Sequence, residues 1–290
     1  MSVPTGVDVI VVPYDSGRRD WRMGAGPLRL VEHGLPDRLR ALGLDVRVVE
    51  VGLADVALAG DQRSAYPLAA DVARAVGAAH AADRLPLVLA GNCSSALGTV
   101  TGAGAGTTGV VWFDAHGDFN TPETSPSGFL DGMSLATLTG RCQAEEAARI
   151  PGFSALADDV VVLAGARDFD AAERRALDSS GVRLVGAGPA IAEELAAALE
   201  GWPESVTGAY VHVDLDVLDA SEARVNEYAA PGGLALPDLL GCIDAIAAHA
   251  RIAAAALTAL DPAIDRDGRA AAAAIAVAEQ IVARASVGWR

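Results

Sequence analysis

Apolar residues follow two rhythms along the chain. Eight short runs, rich in β-branched residues or leucine, recur at Val7–Val12, Val46–Val49, Leu85–Ala90, Gly109–Phe113, Val160–Ala164, Val182–Val185, Ala209–Val213 and Ile252–Leu260. Several have no polar alternation, the pattern of strands buried on both faces. Between them lie segments of Ala, Leu, Arg and Glu with helical spacing: Pro67–Ala82, Ala171–Leu177, Ala190–Leu199, Pro237–His249 and Arg269–Arg284. Pro67 and Pro237 fit a first helical turn, where a missing N–H costs nothing. Strands alternating with helices predict an α/β fold, a mainly parallel sheet of about eight strands covered on both faces. No repeat or compositional shift divides the chain, so one domain spanning residues 1–290 is expected. The stretch Thr101–Gly109 reads as a flexible turn, and the alanine runs Ala253–Ala256 and Ala270–Ala274 as tight packing.

Composition narrows the class. Hydrophobic residues make up 51% of the 290, enough for a large core, and aromatics only 4%, so Ala, Val and Leu must fill it. The net charge is −16 and every basic side chain apart from histidine is arginine. Such an acidic balance argues against nucleic acid or an anionic membrane as partner. Cys93, Cys142 and Cys242 are too scattered for a disulfide framework or a C-x-x-C metal motif. The N-terminal stretch lacks a basic region before its apolar run, and no apolar run approaches the roughly 20 residues of a membrane span. A cytoplasmic location is expected.

Candidate chemistry lies where ligands bind in open α/β sheets, beyond the carboxyl ends of the strands. After Gly109–Phe113 comes DAHGD, Asp114–Asp118. Residues two apart in an extended segment share a side, so Asp114, His116 and Asp118 converge. After Ala209–Val213 come Asp214 and Asp216, with Asp219 a little beyond. A lone D-x-D most often caps a helix or turn; two such clusters at two strand exits point elsewhere. Carboxylates this close repel unless cations neutralise them. Oxygen ligands with one imidazole suit manganese better than zinc or copper. The supply exceeds one ion's needs, which suggests two Mn2+ ions with bridging carboxylates.

These motifs resemble the ureohydrolases: arginase, agmatinase, formiminoglutamase and relatives. That family's motifs GGDHS, DAHxD and SxDxDxxDP are matched in order by AGNCS (Ala90–Ser94), DAHGD and HVDLDVLDA (His212–Ala220). Further matches are the segment Tyr14–Gly17, GAGP at Gly24–Pro27, GARDFD at Gly165–Asp170 and GGL at Gly232–Leu234. The resemblance spans almost the whole chain and implies a three-layer α/β/α sandwich with a binuclear manganese centre. It implies one ion held by Cys93, Asp114, Asp118 and Asp214, and the other by Asp114, His116, Asp214 and Asp216. Asp219 would support those ligands from outside. Cys93 stands at a histidine position and Asn92 at an aspartate position, and a soft thiolate matches manganese poorly.

The loop Phe119–Gly132 resembles that of arginases. By that resemblance Asn120, Ser125 and Ser127 grip a substrate's α-carboxylate, and Asp170 helps hold its α-amino group. The implied partner is a small guanidino amino acid. Three positions depart from the pattern. Phe129 replaces a polar contact. Asp131 replaces a proton-shuttling histidine, which makes Asp131, beside Asp118, a candidate for proton transfer. Ala259 stands where a glutamate binds the guanidinium, with Asp261 or Asp265 as alternative carboxylates. A buried guanidinium wants a carboxylate partner; an N-hydroxyguanidine is less basic and needs it less. The cysteine-for-histidine change resembles the branch that hydrolyses Nω-hydroxy-L-arginine to L-ornithine and hydroxyurea in D-cycloserine biosynthesis. That reaction is the expected function. Arginase, agmatinase, guanidinobutyrase or formiminoglutamase activity, or a family member that binds without turnover, are the alternatives. A monomer is expected over a homo-oligomer, because the chain ends at Val287-Gly-Trp-Arg without the extension through which arginases associate. His33, His80, His249, Cys142 and Cys242 read as packing or surface residues on helical stretches, and His212 as packing beneath the site.

Overall fold

The computed structural model describes residues 4–52 and 61–286, so the C-terminal tetrapeptide behind the monomer expectation lies outside the described residues. The strands are β1 (Gly6–Val12), a small hairpin of β2 (Tyr14–Asp15) and β3 (Arg18–Arg19), then β4 (Asp45–Glu50), β5 (Arg84–Ala90), β6 (Thr108–Phe113), β7 (Val161–Ala164), β8 (Arg183–Val185), β9 (Gly208–Asp214) and β10 (Arg251–Thr258). Apart from the hairpin they form one parallel sheet in the order β4-β1-β5-β10-β9-β6-β7-β8. Each of the eight predicted runs is one of its strands. The predicted run Ile252–Leu260 stops at Thr258, because Ala259 turns into the left-handed region (φ 66°).

Alternate residues of each strand face opposite layers. Val7, Val9 and Val11 belong to the apolar layer that the sheet shares with α1 (Gly26–Glu32), α2 (Leu35–Ala41), α8 (Ile191–Leu199), α9 (Leu236–His249) and α10 (Arg269–Ala285). Ile10, Val12, Val88 and Ala90 belong to the opposite layer, shared with α3 (Asp61–Ala81), α4 (Ser95–Ala103), α5 (Ser134–Leu138), α6 (Ala144–Ala147) and α7 (Ala171–Asp178). The three-layer α/β/α sandwich is therefore present. No helix among the described residues is long and apolar enough to cross a membrane.

Some local expectations change. Pro67 lies inside α3, which begins earlier, at Asp61. The glycine-rich Thr101–Gly109 is no single flexible turn: it ends α4, forms a 3-10 turn at Ala105–Thr107 and starts β6. Cys142 sits between α5 and α6 rather than on a helix.

The chain order creates the crevice. From β5 it skips two places to β6, continues outward to β7 and β8, and returns to fill the gap with β9 and β10. The connections on the two sides diverge there, so the carboxyl ends of β5, β10, β9 and β6 open onto one hollow. Backbones crowd at its edge. A Cβ on Gly91, just after β5, would lie 2.3 Å from the Tyr14 carbonyl oxygen and 2.8 Å from the Gly24 Cα. This contact explains why small residues recur in both the Gly24–Pro27 and Ala90–Ser94 segments.

Gly91→Ala should therefore cost about 3 kcal/mol by overpacking. Gly106→Ala, where a Cβ meets nothing within 4 Å, should stay within about 0.5 kcal/mol of wild type. Thermal unfolding of both variants measures the difference.

Candidate metal centre

Asp114 leaves β6 with its carboxylate turned back under its own loop. Its Oδ1 accepts the His116 N–H at 2.7 Å, and its Oδ2 accepts the indole N–H of Trp112 at 3.1 Å. His116 Nδ1 lies 3.2 Å from Asp114 Oδ1 and 3.4 Å from Asp216 Oδ2. At the neighbouring exit, Asp214 Oδ1 accepts the Asp216 N–H (2.9 Å), and Asp216 Oδ1 accepts the Ala115 N–H (3.1 Å). Backbone donors thus lash the two motifs together across the β6–β9 pair. Cys93, after β5, donates its thiol hydrogen to Asp214 Oδ2 at 3.1 Å.

Two ligand groups result. One donor atom each from Cys93, Asp114 and Asp118 lies within 4.8 Å of the others, as does one each from Asp114, His116 and Asp216. Asp114 belongs to both, and Asp214 bridges towards Cys93. Asp118 adopts a left-handed backbone (φ 48°), a strained state that persists only when its surroundings over-determine it. Here its carbonyl accepts the N–H groups of Leu135 and Ala136 in α5, which holds the turn. Its Oδ2 is buried with no hydrogen-bond partner. A buried orphaned carboxylate oxygen beside a thiol and further carboxylates fits a bound divalent cation.

The electrostatics agree. Burial and the charges of Asp114, Asp131 and Asp214 push Asp118 well above the usual carboxylate range. Burial and the charges of Asp216 and Asp114 do the same to Asp214. Asp216 is pushed up to about 6 by burial and Asp114. Burial and then Asp214 raise the Cys93 thiol well above its ordinary value. Burial alone would lower His116, but its bond to Asp114 and the nearby aspartates outweigh that and raise it to about 9. Beneath the site His212 is held neutral, lowered to about 3 by burial, and stacks on Trp112 with ring centres 3.7 Å apart.

A cavity of about 260 Å³ opens over these groups, lined by the candidate ligands Cys93, Asp114, His116, Asp118, Asp214 and Asp216, by Asn120, Ser125, Ser127 and Asp170, and by Asp131. At its outer end Asn120 donates to Asp170 Oδ2 (2.9 Å), and Ser125 and Ser127 stand at the rim. Phe129 stacks on Tyr228 there, ring centres 6.1 Å apart. Asp131 is buried, 8% exposed, and both its oxygens accept hydrogen bonds from the Asn92–Ser94 turn.

Other expectations fail. Asp261 and Asp265 do not line the cavity. Asp265 accepts the Ala270 and Ala271 N–H groups at the start of α10, and Asp261 that of Ala263. Asp219 grips the N–H groups of Ser221, Gly232 and Gly233 rather than a ligand.

The sequence pattern did not reveal Glu173, Asn226 and Tyr228, which also line the cavity. Glu173 had a signal: Asp170-x-x-Glu is a capping box, and it starts α7. Asn226 and Tyr228 lie in an irregular loop that carries no local signal. Arg167 was missed too; its guanidinium donates to the carbonyls of Asp216, Val217, Leu218 and Ala230 and ties down the β9 exit.

The profile of the "Arginase family" matches residues 5–283. An arginase of Bacillus caldovelox is 30% identical, the alignment covering 93% of this chain and 96% of that one. An arginase of Staphylococcus aureus is 28% identical over 93% and 95%. The native structure of the Bacillus caldovelox arginase superposes with a TM-score of 0.86 at 27% identity, covering 96% of this chain and 98% of that one. The chain belongs to the arginase family, a class of amidinohydrolases acting on C–N bonds.

Raised carboxylates and a raised imidazole bind protons more tightly when folded, so metal-stripped protein should lose stability as pH rises through about 6 (Asp216) and again through about 9 (His116). A cation must displace those protons. The rise in thermal midpoint on adding Mn2+ should accordingly be larger near pH 9 than near pH 6; equal shifts at the two would contradict this account.

Proposed function

We propose that this site hydrolyses the guanidino group of an arginine-like amino acid with two Mn2+ ions. The preferred substrate is Nω-hydroxy-L-arginine, cleaved to L-ornithine and hydroxyurea. The observation that carries hydrolysis is the pair of ligand groups sharing Asp114. Cys93, Asp114, Asp118 and Asp214 would hold one ion, and Asp114, His116, Asp214 and Asp216 the other. Bound there, the ions would supply an activated water and a counter-charge for the tetrahedral centre.

The protein's own groups do the rest. The Asp118 carboxylate accepts the proton of the attacking water and returns it to the departing amine. Asp170 receives the α-amino end, with Asn120, Ser125 and Ser127 taking the α-carboxylate towards the rim. Phe129 and Tyr228 narrow the mouth and limit water.

The substrate preference rests on the inner end. Ala259 lines the cavity there with no carboxylate of its own. The cavity's other acidic side chains are candidate ligands, the pinned Asp131, or Asp168, Asp170 and Glu173. A protonated guanidinium would lie without a dedicated counter-charge, whereas a weakly basic hydroxyguanidine would not need one. L-arginine is the rival, favoured by relatives named arginase.

With manganese-reconstituted enzyme, kcat/KM for Nω-hydroxy-L-arginine should exceed that for L-arginine at least about tenfold, a difference of about 1.4 kcal/mol. Ala259→Glu and Cys93→His should each narrow that ratio. Comparable turnover of both substrates would remove the hydroxyguanidine preference; release of neither urea nor hydroxyurea would remove the hydrolytic reading.

A further inference from the structure

Two residues that depart from the family's pattern, Asn92 and Asp131, face each other. Asp131 Oδ2 accepts Asn92 Nδ2–H at 2.9 Å, and Asp131 Oδ1 accepts the Ser94 backbone N–H at 3.0 Å. One carboxylate therefore spans Cys93 by holding the residue on either side of it. Asn92 is itself fixed from behind. Its Oδ1 accepts the Ser16 N–H at 2.9 Å, while its Nδ2 also lies 3.5 Å from Asp15 Oδ1. The amide has one workable orientation, with oxygen towards an N–H and nitrogen towards two carboxylates. Held this way, the turn leaves Cys93 Sγ 3.1 Å from Asp214 Oδ2.

We propose that Asp131 is a positioning residue, not a proton carrier: with Asn92 it forms a reciprocal staple that aims Cys93 at the carboxylates of the metal centre. The proposal rests on the metal-centre reading above, because the aim of the sulfur matters only where it meets a cation. Both Asp131 oxygens are committed to the turn. Changing either partner alone breaks the staple. An aspartate at position 92 would set its charge against Asp131 and Asp15. An amide at position 131 would have to turn its NH2 towards either Asn92 Nδ2–H or the Ser94 N–H, donor against donor. Changing both restores the bond between the two side chains with its direction reversed and keeps the Ser16 and Ser94 bonds; only the long 3.5 Å contact with Asp15 is lost. The amide at 131 then donates to the carboxylate at 92 and still accepts from Ser94, while the carboxylate at 92 still accepts from Ser16. The doubly exchanged pair has nearly the same shape, and an amide at 131 cannot carry a proton at neutral pH.

The test is a double-mutant cycle on the full chain: wild type, Asn92→Asp, Asp131→Asn and both together. It uses Mn2+ affinity, thermal midpoint, and kcat, KM and their pH profile on whichever guanidino substrate wild type turns over. Each single change should lower Mn2+ affinity and kcat/KM about tenfold or more. The pair should recover both to within about threefold, with the wild-type pH profile (tenfold being about 1.4 kcal/mol). Single variants that fail to fold, beside a double variant that folds and binds Mn2+, would support the staple equally. A double variant as inactive as Asp131→Asn, yet with wild-type Mn2+ affinity, would overturn the proposal in favour of proton transfer. Single variants with unchanged Mn2+ affinity and midpoint would overturn the staple. Mn2+ affinity and midpoint are read without any substrate, so a wrong substrate assignment cannot imitate these results.

Discussion

The repulsion among Asp114, Asp118, Asp214 and Asp216, gathered in a hollow with little water to screen it, is the interaction around which the other parts of this structure are arranged. Buried carboxylates at these separations raise one another's proton affinity, and three of the four are pushed upward here. Asp114 alone is lowered: burial would raise it, but the bond from His116 and further donors outweigh that. The surrounding protein answers with donors. Backbone N–H groups of Ala115, His116 and Asp216 point at the carboxylates, and the Trp112 indole N–H joins them from below. These groups hold the geometry, and a bound cation would complete the neutralisation.

Sheet order supplies the place. Because β9 and β10 are inserted between β5 and β6, motifs far apart in the chain leave adjacent strands and meet at one edge. Close packing then fixes their height. Gly91 admits the Tyr14 and Gly24 backbones. The Trp112–His212 stack joins cross-strand partners of β6 and β9 directly beneath Asp114 and Asp214. Arg167 gathers the carbonyls after β9 from the other side. The loops around the cavity are irregular, and buried polar contacts such as Phe119 N–H to Glu173 and Ala115 N–H to Asp216 pin them to the framework.

Much of this was legible locally. The β-branched runs are strands because both faces of each are buried, which leaves no polar positions to confuse the pattern. The helices α1, α2, α4, α5 and α6 were not legible. They are short or built from small residues, and neighbouring layers stabilise them more than their own periodicity does. DAHGD and DLD could be placed because their spacing follows a strand into a turn. The surroundings of Asp131, Asn226 and Tyr228 could not. Each lies in a loop whose residues suit any solvent-exposed turn, and only packing shows Asp131 to be buried and Asn226 to sit under Asp216 and Ala259.

The order of residues alone was enough for the eight-stranded α/β architecture and the residue types of a metal-binding cluster, because these depend on short-range periodicity and spacing, and for the family, through the resemblance of its ordered motifs. What those residues face was settled by packing. It turned Asp261 and Asp265 away into helix and turn contacts, left Ala259 lining the inner cavity, and committed Asp131 to the turn that carries Cys93. Such assignments turn on which donor lies within about 3 Å of which acceptor. That distance is set by the meeting of segments remote in sequence, which no local pattern records.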